Sequence, residues 1–104
     1  MDKRKIRAIT PFLERVKKKY SPRQVILFGS RARGTQRKDS DYDVLIVAES
    51  FKNINFYTRS VLMYKLKGEI NASMDIVCLT PQEFDRRKKE IGIIQEACRE
   101  GIEI

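Results

Sequence analysis

At 104 residues the chain has the size of one domain, with 41% apolar residues to build a single core and 35% charged residues, too many for a membrane protein. It contains no histidine, which excludes Ser-His-Asp triads, Cys-His pairs and His-ligated zinc or iron sites. Two cysteines, Cys78 and Cys98, are too few for a disulfide scaffold; in their apolar contexts both read as core residues in a reducing compartment.

The opening segment Met1-Asp2-Lys3-Arg4-Lys5-Ile6-Arg7 is charged where a secretory signal is apolar. No run approaches the roughly 20 apolar residues of a spanning helix, so a cytoplasmic location without membrane association is expected. The formal net charge of +8 is uneven: residues 1–40 hold 13 Lys/Arg against 3 Asp/Glu, a net of +10, and the remainder carries −2. Such an asymmetry suits a polyanion, a triphosphate or the solvated face of a first helix. For Lys3, Arg4, Lys5, Arg7, Lys17, Lys18 and Lys19 the solvated face is the ordinary reading, and a nucleic-acid partner rests on charge alone.

In chain order, Ile6, Ile9, Leu13, Val16 and Tyr20 recur at spacings of three and four, one face of an amphipathic helix that stops before Ser21-Pro22. Val25-Ile26-Leu27-Phe28, Val44-Leu45-Ile46-Val47 and Ile76-Val77-Cys78-Leu79 lack alternation and predict strands covered on both faces. Residues 55 to 70 are free of Pro and long enough for a helix between the last two strands. Ile54, Tyr57, Val61 and Tyr64 make one apolar stripe there and Leu62, Leu66 and Ile70 another, so a second protomer or another protein is expected to cover one of them. Thr80-Pro81-Gln82-Glu83 carries a capping box and opens a helix running toward Ile91. After Gly92, Ile94, Ala97 and Cys98 form a last helical face that ends at Gly101, and residues 102 to 104 suit a short edge strand. The predicted class is α/β: a small sheet of about three core strands and a possible edge strand, with helices packed on it.

The chemistry concentrates where the first strand ends. Gly29-Ser30 is followed, after ten intervening residues, by Asp41-Tyr42-Asp43 at the start of the second strand, and Asp75 stands before the third. Side chains two apart on a strand project together, so Asp41 and Asp43 share a side, a costly arrangement that a hard cation such as Mg²⁺ or Mn²⁺ relieves. Gly29-Ser30 leaves the carboxyl end of one strand while the acids sit at the amino ends of two others. For them to meet, the first strand must run antiparallel to the other two, which makes the sheet mixed. Gly29 permits close backbone approach to a ligand, Ser30 offers a hydroxyl and an N–H, and Arg31 and Arg33 can neutralise phosphate oxygens. Acids facing a basic phosphate cradle are the parts of a two-metal transfer site. Tyr42, between the two acids, points away from the site and packs.

Gly29-Ser30-Arg31-Ala32-Arg33-Gly34, Ser40-Asp41-Tyr42-Asp43 and the later Asp75 resemble the signature of the DNA polymerase beta nucleotidyltransferase superfamily, in its minimal nucleotidyltransferase branch. The resemblance covers almost the whole chain, so residues 1–104 are expected to be one such domain with the nucleotidyltransferase fold. It implies ATP as donor and two divalent metal ions, Mg²⁺ or alternatively Mn²⁺. Gly29 and Ser30 would hold the triphosphate with Arg31 and Arg33 beside them; Asp41 and Asp43 would bind both metals; Asp75 would join the catalytic one and help activate the acceptor. Larger members carry an added domain that grips the acceptor, and none follows in this sequence, which directs acceptor binding to a partner or a shallow surface. The branch implies a HEPN-family toxin as that partner and an antitoxin role by AMP transfer to a hydroxyl. The alternative is a non-catalytic antitoxin that neutralises the toxin by complex formation, although such a module has no need of three mutually repelling acids.

Overall fold

The computed structural model describes residues 2–104. The stripe from Ile6 to Tyr20 starts in a 3-10 helix, Lys3–Ile9, and continues in helix α1, Thr10–Tyr20. Pro11, which has no N–H, sits in the first turn of α1, where that donor would lack a helical acceptor anyway. Ser21 ends the helix in the left-handed conformation (φ 45°, ψ 57°), its N–H donating to the Lys17 carbonyl at 3.2 Å, and the proline after it blocks continuation of the helix. Strand β1 (Gln24–Phe28), the short helix α2 (Ser30–Arg33) and strand β2 (Tyr42–Val47) follow. A 3-10 turn at Glu49–Phe51 leads to α3 (Phe56–Lys67), β3 (Met74–Leu79), α4 (Pro81–Arg87), α5 (Ile93–Glu100) and β4 (Ile102–Glu103).

The strands form one mixed sheet in the order β3-β2-β1-β4. β1 is antiparallel to β2 and β4, and β2 is parallel to β3, the orientation that the motif positions demanded. On one face Leu27, Tyr42, Val44, Ile46 and Cys78 pack with Phe12, Leu13 and Val16 of α1 and Met63 of α3. On the other, Ile26, Phe28, Leu45, Val47 and Leu79 pack with Phe84 of α4 and with Ile94 and Ala97 of α5. Full burial of each large apolar side chain in these layers contributes about 1.5–3 kcal/mol. At Gly101 a Cβ would collide with the Ala97 carbonyl and the Ile26 side chain, so only glycine lets α5 turn directly into β4. Among the described residues no helix is long and apolar enough to cross a membrane.

Three expectations are corrected. β3 is an edge strand, and only Cys78 and Leu79 in it are buried. The helix after Thr80 ends at Arg87, which leaves Ile91 97% exposed. Cys98 is exposed, because α5 turns Ile94 and Ala97 inward and the next position lies about 100° further round. Cys78 is a core residue as expected, and burial, against the pull of Arg59, pushes its thiol up to about 12.

The capping box of α4 is present, with Glu83 accepting from the Thr80 N–H and Thr80 Oγ1 from the Glu83 N–H. Glu83 also receives the buried guanidinium of Arg59: Nη1 donates to Oε1 at 2.7 Å and Nη2 to Oε2 at 3.3 Å. Arg59 donates further to the carbonyls of Ile54 (2.8 Å), Cys78 (3.1 Å) and Phe51 (3.1 Å), so one side chain ties α3 to β3, α4 and the 3-10 turn. Burial raises the Glu83 carboxyl, but the bonds from Arg59 and Thr80 outweigh it and hold the group below the usual glutamate range. Glu83→Gln therefore leaves a buried cation without its anion, and an equilibrium unfolding titration at pH 7 should show a loss on the order of 3 kcal/mol. A depressed carboxylate stabilises above the unfolded value, about 4.3, and ceases to do so as pH falls through the folded one. The gap between wild type and variant should accordingly close in acid; a constant gap would contradict the charge pairing.

Candidate active site

The antiparallel register sets Phe28 opposite Asp43, and the parallel register sets Asp43 beside Asp75. Neighbouring strands lie about 4.8 Å apart, so the two carboxylates share one face of the sheet at the end where β1 delivers Gly29-Ser30. Tyr42, one position away, is buried against the opposite layer, as the alternation predicts. Gly29 adopts φ 72°, ψ −157°, a conformation open almost only to glycine. A Cβ built on it would collide with Asp43 Oδ2, so the turn and the carboxylate are packed against each other. Ser30 opens α2, where its N–H lacks a helical carbonyl partner.

Burial first, then the charges of Asp75 and Asp41, raise the Asp43 carboxyl above its ordinary range, with Arg33 acting in the other direction. Asp43 is half-buried, whereas Asp41, just before β2, and Asp75 are exposed. Among the described residues no three acidic or cysteine side chains form a ready-made metal cage. Mg²⁺ does not require one, since it commonly takes one or two carboxylates together with phosphate oxygens and water. The hard oxygens of Asp43 and Asp75, whose charges repel with only Arg33 set against them, fit such an ion.

The two motif arginines diverge. Arg33 lines an open cleft of about 330 Å³ with Phe28, Gly29, Ser30, Asp43, Ile93 and Glu96. Its Nη1 lies 3.2 Å from Glu100 Oε2 and 3.6 Å from Glu96 Oε1. Arg31 is turned to the other side of the sheet, with its guanidinium carbon 3.9 Å from the Tyr42 ring centre and its Nε donating to the Ser40 carbonyl at 2.9 Å. The expectation that Arg31 faces phosphate gives way to a positioning one, because it braces the loop immediately before Asp41. Ile93, Glu96 and Glu100 were not singled out in the sequence, where no local pattern connects α5 with a turn more than 60 residues earlier. A second groove of about 250 Å³, lined by Ser60, Met63, Tyr64, Lys67, Met74, Asp75 and Ile76, opens between α3 and the edge of β3, so Asp75 lines this groove while Asp43 lines the cleft.

The nucleotidyltransferase domain family matches residues 9–101, and the chain belongs to it. Among solved structures it is similar to a candidate nucleotidyltransferase from Sulfolobus solfataricus, at 25% identity and TM-score 0.68, covering 96% of this chain and 78% of that one. A chain of a toxin-antitoxin complex solved with AMP-PNP is similar at 20% identity and TM-score 0.62, covering 99% of this chain and 72% of that one. BolA1 from Arabidopsis thaliana has the same fold at 21% identity and TM-score 0.58, over 73% of this chain and 94% of its own. No curated protein matches the chain significantly. The last two likenesses concern fold alone, so the chemistry is argued from the family and the residues rather than from topology.

A carboxyl whose folded value is raised binds a proton that the unfolded chain, near 3.9, has already lost. Stability therefore falls as pH rises through that window. Asp43→Asn should be more stable than wild type at pH 7 in metal-free buffer, with the gain vanishing below about pH 3.9. Gly29→Ala should cost about 1–3 kcal/mol through backbone strain alone, with the displacement of Asp43 adding to it. Thermal melts across pH check both; an Asp43→Asn variant less stable than wild type at pH 7 would show that the carboxylate is structural.

Proposed function

We propose that residues 1–104 form one minimal nucleotidyltransferase domain that moves AMP from ATP to a hydroxyl of a bound protein, a HEPN-family toxin, and so acts as a cytoplasmic antitoxin. The observation that carries this reading is the register that sets Asp43 beside Asp75 and against the Gly29-Ser30 turn. In it, Gly29 has no side chain to part the turn from Asp43, so the turn's backbone reaches phosphate oxygens beside that carboxylate, Ser30 donates to them and Arg33 offsets their charge. Asp41, Asp43 and Asp75 hold Mg²⁺ or Mn²⁺, which when bound supplies charge neutralisation on the phosphates. Asp75, bordering the groove beside α3, receives the acceptor hydroxyl. The acceptor oxygen bonds to the α-phosphorus, the bond from that phosphorus to the bridging oxygen breaks, pyrophosphate leaves, and the hydroxyl proton passes by way of Asp75 to solvent.

A protein acceptor is supported by α3, on which Tyr57 and Tyr64 are each 78% exposed and Phe56 is half-exposed. A helix that turns aromatic residues outward beside a site groove has the character of an interface. Contact there would hold the acceptor in place, an advantage of proximity that a shallow groove lacks by itself.

Incubated with α-labelled ATP, Mg²⁺ and the protein encoded beside it, the chain should leave label on one hydroxyl of that partner. Asp75→Asn should reduce labelling by about 100-fold or more while the complex persists, and Tyr64→Glu should weaken the complex itself. A complex that silences the partner with no label would establish the stoichiometric antitoxin instead; label on a small molecule and no complex would overturn both.

A further inference from the structure

The cleft beside Asp43 runs from the Gly29-Ser30 turn to α5. Gly29, Ser30 and Asp43 form the end at the turn, and Ile93 and Glu96 of α5 contribute the remainder of its wall with Phe28. Arg33 spans the two parts, standing on α2 near Ser30 and reaching the glutamates of α5. The volume of about 330 Å³ falls at the small end of ligand pockets, roughly 300–1,000 Å³.

The chemistry of the two α5 side chains is specific. Ile93 keeps 51% of its surface exposed at the cleft, an apolar face without a core to join. Glu96 is acceptor-only, and its ion-pair partner, Arg33, lies at 3.6 Å, too long for a direct hydrogen bond; the bond at 3.2 Å goes to Glu100. Glu96 thus retains lone pairs that face the cleft. A carboxylate there repels phosphate, which has no donor to offer it at neutral pH. It accepts from the part of a nucleotide that does carry donors in every ribonucleotide, the two ribose hydroxyls.

We propose that Ile93 and Glu96 form the nucleoside subsite of the donor cleft, with Ile93 against the base and Glu96 accepting from the 2′- and 3′-hydroxyls, so that the protein selects ribonucleoside over deoxyribonucleoside triphosphates. The assignment rests on the donor reading of Gly29, Ser30 and Asp43 given above. It makes Glu96 a specificity determinant and Glu100 only a holder of Arg33.

Calorimetric titration with Mg²⁺ and four probes, ATP, 2′-deoxy-ATP, 3′-deoxy-ATP and inorganic triphosphate, separates the claims. Wild type should bind ATP about tenfold or more tightly than either deoxy analogue, the size of one lost hydrogen bond to a charged group. Glu96→Ala should bring that ratio close to one, whatever freeing Arg33 does to absolute affinity, whereas Glu100→Ala should leave the ratio as in wild type. Ile93→Ser should weaken ATP and leave inorganic triphosphate unchanged. Equal binding of ATP and both deoxy analogues, or a ratio that survives Glu96→Ala, would overturn the subsite and leave the donor reading standing. Failure of wild type to bind both ATP and inorganic triphosphate would overturn the donor reading and the subsite with it.

Discussion

Everything at the candidate site depends on how β2 is paired with its two neighbours. Antiparallel pairing brings the end of β1 to the start of β2, and parallel pairing places β3 level with it, so Phe28, Asp43 and Asp75 lie in one row. Because strand side chains alternate, the same register that buries Tyr42, Val44 and Ile46 under α1 and α3 turns Asp43 to the opposite face. A slip of one residue would turn Asp43 into the layer under α1 and α3 and Tyr42 out toward the cleft, which is why packing on one face specifies chemistry on the other.

That arrangement carries an electrostatic cost concentrated on Asp43, partly desolvated and flanked by the charges of Asp75 and Asp41. Arg33 offsets part of it, and Arg33 is in turn held by Glu96 and Glu100 rather than by a carboxylate of the sheet. The proposed cation and triphosphate would relieve this cost, the cation between the acids and the triphosphate beside Arg33. Proteins accept such locally unfavourable arrangements at functional sites, where the ligand removes the penalty.

Much of this was legible from residue order, and the limits are physical. The Gly29-Ser30 turn, the Asp41/Asp43 alternation and the antiparallel first strand follow from local geometry and from the requirement that the acids meet. The Thr80-Glu83 capping box was also readable, being four residues long. Its second role was not, since Arg59 reaches Glu83 from 24 residues away and no local pattern marks an arginine that will be buried. Arg31 and Arg33 are equivalent as text; the face of the Tyr42 ring takes one of them, and α5 takes the other. The exposure of Cys98 and the edge position of β3 were missed for a related reason, because apolar runs report hydrophobicity but not which strand or helix face finds a neighbour. Glu96 was invisible until folding brought α5 over the end of β1.

One strand register, we propose, assembles a metal-and-triphosphate site between Asp43, Asp75 and the Gly29-Ser30 turn. A crystal soaked with Mn²⁺ and a non-hydrolysable ATP analogue tests it most directly, through the anomalous signal of the ion. The expected result is an anomalous peak in contact with Asp43, and phosphate density across Gly29-Ser30. Nucleotide bound elsewhere on the surface, or a fully loaded crystal with neither ion nor phosphate in that cleft, would contradict it.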